Sequence, residues 1–169
     1  MTSTEIVVTG ERADLLEVLA KHRGLFRFTV QGVTEEQARL RTTVSELTLG
    51  GLIKHVATVE QSWVRFIQEG PAAMEGGSGD WANGHRLVDG ETLEGELARY
   101  EEIAKATDEL LATIESLDVS HPLPAAPWFE PGARWSARRV FVHIIAETSQ
   151  HAGHADIIRE ALDGQKSMG

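Results

Sequence analysis

The 169-residue sequence contains no cysteine. It therefore has no disulfide, no thiolate nucleophile of its own and no cysteine-based zinc site. A metal site in this chain must use histidine, aspartate or glutamate, and any thiol chemistry must use a thiol that the protein binds. The lack of cysteine also fits a cytoplasmic protein, which is the location we expect.

Long apolar runs and an excess of basic charge are missing as well. The apolar runs are too short to cross a bilayer, and the first residues lack the basic and apolar regions of a signal peptide. The formal net charge is −10, and an acidic surface repels phosphate backbones. We therefore expect neither a membrane nor a nucleic-acid partner. Arginine is preferred to lysine among the few cations, which hints at a high-GC bacterial source.

Apolar residues at helical spacing predict four main helices, and no segment shows a convincing strand pattern. We expect the helices at 11–30, 48–68, 91–117 and 136–162, with a short helix opening at Thr34. Ser136 is a plausible N-cap of the last helix and Gly164 its C-terminal stop. Amphipathic helices of this length bury their apolar faces best against one another. The sequence predicts an all-α protein, with one four-helix bundle as a single domain over residues 1–169.

Two long loops are expected on either side of the third helix, at 70–90 and 118–135. Long loops are uncommon in compact domains unless they have a function. Both carry aromatic residues, which suits the rim of a pocket, although tryptophans more often anchor a core or a loop than bind substrate. The tryptophans concerned are Trp81, Trp128 and Trp135, with Trp63 on the second helix.

The last helix carries a polar stripe formed by His143, Glu147, His151 and His154. Residues three or four apart on a helix are neighbours, whereas residues eight apart are separated by about 12 Å along the axis. The stripe therefore offers three adjacent pairs that could share an ion, of which Glu147 and His151 form the central one. Because two ligands from one helix do not complete a site, a further ligand must come from elsewhere.

His55 is a candidate for that further ligand. It lies on the second helix beside the apolar residues Leu52 and Val56. A histidine at a buried edge needs a hydrogen-bond partner or a metal. If the second and last helices are neighbours, His55 faces the polar stripe. Three such ligands with open positions are typical of a catalytic metal site rather than a structural one.

Three segments of the chain resemble the DinB/YfiT-like superfamily of four-helix metal-binding proteins. They are Gly32–Val33–Thr34–Glu35–Glu36–Gln37–Ala38, Thr48–Leu49–Gly50–Gly51–Leu52–Ile53–Lys54–His55–Val56 and the stretch from Val142 to Asp156. The resemblance is closest to the branch that includes the metal domain of mycothiol-dependent maleylpyruvate isomerase. That isomerase has an additional C-terminal domain, whereas this sequence ends at Gly169, so we expect a different reaction here.

The resemblance implies that His55, Glu147 and His151 hold a divalent metal. Zn²⁺ is the first choice, and Ni²⁺, Fe²⁺ and Mn²⁺ suit the same donors. It also implies a low-molecular-weight thiol such as mycothiol or bacillithiol as cosubstrate. His154 is expected either to support a metal ligand or face the substrate, or to be an ordinary histidine on the helix surface.

We expect a metal-dependent thiol transferase that acts on a small electrophile, although the sequence leaves open whether the chain is an enzyme. The alternatives are a hydrolase that uses metal-bound water and a non-catalytic stress protein that binds a metal or a small ligand. A homodimer is plausible. His143 and His22 are expected to be structural or to lie at a pocket edge. The basic residues near the start of the last helix are expected to form a solvated cluster; they are Arg134, Arg138 and Arg139. We assign no role to His85 and His121.

Overall fold

The computed structural model of the protein describes residues 8–74 and 83–168. These residues are mostly helical, as predicted for an all-α chain. The elements in chain order are helices α1 (Glu11–Phe28), α2 (Glu35–Ala38) and α3 (Leu49–Glu69), a 3-10 turn (Pro71–Met74), helix α4 (Leu93–Thr113), strands β1 (Ser120–Pro122) and β2 (Arg134–Ser136), and helix α5 (Ala137–Asp163). None of the described helices has the length and apolarity needed to span a membrane.

Short polar side chains open the helices where the sequence predicted them. Thr48, Thr92 and Ser136 each accept a hydrogen bond from the backbone N–H three residues further on. Thr34 forms a complete capping box with Gln37 at the start of α2. Such caps satisfy N–H groups that have no partner inside the helix. Gly164 ends α5 in the left-handed conformation, with φ at 82°, so this predicted stop is also confirmed.

Helix α4 ends one turn earlier than predicted. Its C-cap Ile114 is extended, with φ −54° and ψ 136°. The Arg12 guanidinium on α1 donates to the carbonyl oxygens of Leu111 and Ile114, both at 2.6 Å. The last carbonyls of α4 are therefore satisfied by a side chain from another helix, which spacing within the helix could not reveal.

The expectation of no strands was wrong. Strands β1 and β2 pair antiparallel in the second long loop, with Ser120 opposite Ser136. Each has three residues, too few to show an alternating pattern, and Pro122 is tolerated because it ends a short edge strand. The pair holds this loop against the start of α5.

The four long helices pack against one another through two apolar clusters. Helix α3 contacts both α4 and α5, and α1 contacts α5 and α4. One cluster is centred on Phe26, Leu52, Val56 and Tyr100, and the other contains Leu19, Trp63, Leu111 and Phe141. Because α3 lies beside α5, His55 is brought to the polar stripe of the last helix.

A buried network of polar side chains lies between the two apolar clusters. Arg23 of α1 and Glu60 of α3 form an ion pair at 2.5 Å, with side chains 5% and 1% exposed. Thr107 of α4 donates to the same Glu60 carboxylate at 2.6 Å, and Arg23 also pairs with Asp108. The network joins three helices. Its additional hydrogen bonds satisfy the polar atoms of the buried ion pair, which would otherwise destabilise the fold.

Candidate metal centre

The three predicted ligands come together at the contact between α3 and α5. His55, Glu147 and His151 each offer a ligand atom, and these atoms all lie within 4.8 Å of one another. Glu147 and His151 are one turn apart on α5, with 3.5 Å between Glu147 Oε2 and His151 Nε2. The His55 and His151 rings meet edge to face, with centroids 4.8 Å apart.

The arrangement fits a divalent metal ion. Tetrahedral ligands at bond lengths of about 2.1 Å lie about 3.4 Å from one another, and the pair on α5 already has nearly this separation. Two imidazole nitrogens and one carboxylate oxygen form a donor set that binds Zn²⁺ and other first-row divalent ions. The three residues could therefore hold such an ion after small side-chain movements.

The other two histidines of the stripe contact the candidate ligands but are not part of the three-residue cluster. His143 Nε2 lies 3.7 Å from Glu147 Oε1, the carboxylate oxygen that does not face His151. His154 Nδ1 lies 3.3 Å from Nδ1 of His151. Each neighbour therefore contacts a different atom from the one through which Glu147 and His151 face each other. Contacts of this kind fix the tautomer and orientation of metal ligands.

His85 also lies at the site, although its position in the sequence predicted no role. Its ring stacks on that of His55, with centroids 4.0 Å apart and an interplanar angle of 26°. The His85 ring also lies 6.4 Å from that of His151. His85 thus covers the candidate ligand on α3 from the loop that precedes α4.

Two glycines in the first turn of α3 bring this loop close. A Cβ on Gly51 would overlap the carbonyl oxygen of His85, and one on Gly50 would meet the Leu87 side chain. Glycine is a poor helix former, so Gly50–Gly51 inside a predicted helix was the signal for a close backbone approach. No pattern in the sequence indicates which segment approaches.

Burial and neighbouring charges keep the site ready to bind a cation. Burial, reinforced by His85 and His151, lowers the pKa of His55 to about 4. Burial also lowers the pKa of His85 and of His143. The contact with His151 lowers the pKa of Glu147. At neutral pH His55 is therefore uncharged and Glu147 ionised, the forms that bind metals.

Aromatic rings form a wall beside Glu147. Trp63 of α3 and Trp135 of β2 stack with centroids 4.7 Å apart. His143 meets both edge to face, at 4.9 and 5.0 Å, and Phe129 packs on Trp135. Phe129 and Trp135 therefore bring the second long loop against His143, the neighbour of Glu147.

A cavity of about 620 Å³ lies on the other side, next to His85. It is formed by the segment before α3 and the loop that carries His85. Its polar lining includes Arg39, Arg41, Arg86, Glu46 and His85.

The remaining predicted residues have mainly structural contacts. Arg138 pairs with Glu11 and Asp118, Arg134 donates to the Ser120 carbonyl, and Arg139 lies over the Trp135 ring. His121 contacts the Ile67 carbonyl oxygen at 3.0 Å. His22 is half-buried and Trp128 exposed, while Trp81 lies outside the described residues.

A mainly helical protein with a His–Glu–His cluster between two helices has the character of the DinB-like metal-binding superfamily. The family described as mycothiol-S-transferase matches residues 14–164. The chain therefore belongs to the mycothiol S-transferase family, and the resemblance seen in the sequence is confirmed. Among curated proteins, no match was found.

Proposed function

We propose that the chain is a metal-dependent S-transferase that joins a low-molecular-weight thiol of the mycothiol type to a small electrophile. We further propose that the long helices form a DinB-type four-helix bundle with His55, Glu147 and His151 as the metal ligands. The observation that carries the proposal is the convergence of these three side chains within 4.8 Å in a member of the mycothiol S-transferase family.

A divalent ion, with Zn²⁺ as the first candidate, would supply the Lewis acidity that lowers the pKa of a thiol. In the reaction the thiol loses its proton, and its sulfur forms a new bond to the electrophilic carbon. A displaced group leaves with its electron pair; where the electrophile is an activated double bond instead, the π electron pair moves to the neighbouring carbon, which takes up a proton. Because the chain has no cysteine, the sulfur must come from the bound thiol.

The neighbouring residues have supporting roles in this proposal. His151 Nε2, which lies 3.5 Å from Glu147 Oε2, would bind the ion, so that the ring proton would lie on Nδ1 and would be donated to His154 Nδ1 at 3.3 Å. His143 Nε2 lies 3.7 Å from the second oxygen of Glu147, close enough for an electrostatic contact. His85 stacks on His55, and the stacked rings of Trp63 and Trp135 pack against His143. Such support fixes ligand geometry.

The test is a thiol screen with metal-loaded protein purified without an affinity tag. Mycothiol, bacillithiol and glutathione are each incubated with monochlorobimane, and the conjugate is measured by fluorescence. We expect conjugation that requires both the thiol and the metal and that His151→Ala removes. Gln150→Ala, which alters an exposed neighbour on the same helix, is the matched control and keeps the activity.

Lack of conjugation with all three thiols would contradict the proposal. So would activity that survives complete removal of the metal. Thiol-independent ester hydrolysis that is lost in His151→Ala would replace the transferase with the hydrolase alternative.

A further inference from the structure

The cavity beside His85 is unusually basic for this protein. Three arginines and one glutamate are among its lining residues, whereas the whole chain has a formal net charge of −10. A concave surface with an excess of one sign of charge concentrates ligands of the opposite sign. The cavity therefore favours an anion.

Arg39 serves mainly to hold the loop in place. It pairs with Glu35 at 2.9 Å, donates to the Leu87 carbonyl at 3.0 Å and also donates to the Glu91 carbonyl. Its guanidinium is thus engaged with the protein, which leaves the other two arginines as the cationic partners of a ligand.

Arg41 and Arg86 are less fully engaged. Among the described residues, the Nε of Arg41 donates to the Ser45 carbonyl at 3.2 Å, and the Nε of Arg86 donates to Asn83 Oδ1 at 2.7 Å. Glu46 lies 3.7 Å from Arg41 Nη1, beyond hydrogen-bond length. These bonds orient each guanidinium through Nε and leave terminal N–H groups that can bind a carboxylate.

The cavity is connected to the candidate metal centre by one side chain. His85 lines the cavity, and its ring stacks on His55 at 4.0 Å. A small molecule in the cavity therefore contacts both the arginines and His85, the ring that covers the candidate ligand His55. A volume of about 620 Å³ is within the ordinary range for small-molecule sites.

We propose that this cavity binds a carboxylate of one reactant, with Arg41 and Arg86 as its partners, so that the reactive end of the same molecule lies at the metal centre. The catalytic consequence of this inference rests on the proposed function, whereas carboxylate binding does not. The carboxylate can belong to the electrophile or to the thiol, and the kinetic test below separates the two sources.

The first experiment measures binding alone. Succinate and its neutral analogue succinamide are titrated into metal-loaded protein by calorimetry, with the Arg41→Gln/Arg86→Gln double variant alongside. We expect the double variant to bind succinate at least about tenfold more weakly, because charge-assisted hydrogen bonds are lost. We expect succinamide to bind at least about tenfold more weakly than succinate to the wild type.

The matched control is Arg65→Gln/Lys105→Gln, which removes two positive charges from exposed helical positions. It should bind succinate as the wild type does. The comparison of succinate with succinamide uses the wild type alone, so it tests the proposal even if the double variant misfolds. Unchanged succinate affinity in a folded double variant would overturn the proposal. It would show that the metal alone binds the carboxylate, without these arginines. Equal binding of succinate and succinamide would also overturn it.

The second experiment measures kinetics with reactant pairs that differ only in the carboxylate. Fumarate and fumaramide serve as electrophiles, and N-acetylcysteine and its amide as thiols. For the carboxylate form of one reactant, we expect the double variant to have a KM at least about tenfold higher than that of the wild type and a similar kcat. For the amide form of the same reactant, we expect KM to be unchanged. The reactant affected identifies the source of the carboxylate.

The two proposals fail in different ways. If no thiol conjugates but succinate binding still depends on Arg41 and Arg86, the proposed function fails and the carboxylate site stands. If conjugation proceeds and the double variant alters neither succinate affinity nor any KM, the carboxylate site is wrong and the proposed function stands.

Discussion

Gly51 lies in the first turn of α3, where its backbone packs directly against the backbone of His85. This contact leaves no room for a side chain at residue 51. It holds the loop that stacks His85 on His55. The geometry of the candidate centre therefore depends on a residue that carries no functional group.

Gly51→Ala is expected to destabilise the protein by about 1–3 kcal/mol, because the added methyl group forces the loop backbone to move. Chemical denaturation measures the change. Gly24→Ala is the matched control, since Gly24 lies within α1 with open space around its Cβ position. That substitution should stabilise the protein by about 0.5–1 kcal/mol. Stabilisation by both substitutions would show that the close approach at Gly51 is wrong.

Individual residues differed in how far they could be predicted. Glu147 and His151 were predictable because both lie on one helix at a spacing that the helix geometry fixes. His55 required the additional expectation that α3 and α5 are neighbours. His85 could not be predicted, because its place depends on a loop that docks across the chain, and no local pattern encodes that contact.

At the level of helices and strands, the starts of the long helices were well predicted and some of their ends were not. Thr48, Thr92 and Ser136 act locally, within one turn of the helix they open, so the sequence around them is sufficient. The early end of α4 depends on Arg12 from α1. The strands β1 and β2 depend on pairing between distant segments. Both are effects of tertiary structure.

The buried ion pair between α1 and α3 was also missed, because Arg23 and Glu60 are ordinary surface residue types. Arg23→Met is expected to destabilise the protein by about 3–5 kcal/mol, since it leaves the Glu60 carboxylate buried without its cation. The double variant Arg23→Met/Glu60→Met should lose much less, because no uncompensated charge remains. Urea denaturation of both variants and of Glu60→Met gives the coupling free energy. Additive losses from the two single substitutions would contradict this account of the pair.

For the molecule as a whole, the all-α class and the family were correctly predicted from the sequence. Both depend on features spread over the chain. These are the helical periodicity and the three segments that resemble the superfamily, all of which lie within the matched residues 14–164. The single domain, the homodimer and the cytoplasmic location stay predictions. The particular thiol and electrophile depend on pocket shape, which sequence patterns do not determine.

The central claim is that His55, Glu147 and His151 hold a divalent ion, and metal content measures it most directly. Protein purified without an affinity tag is dialysed against metal-free buffer and analysed by plasma mass spectrometry, together with His151→Ala and the control Gln150→Ala. We predict one tightly bound ion per chain in the wild type and control, and almost none in His151→Ala, because it removes one of three protein ligands. Well under one ion in the wild type, or full occupancy in His151→Ala, would contradict the account.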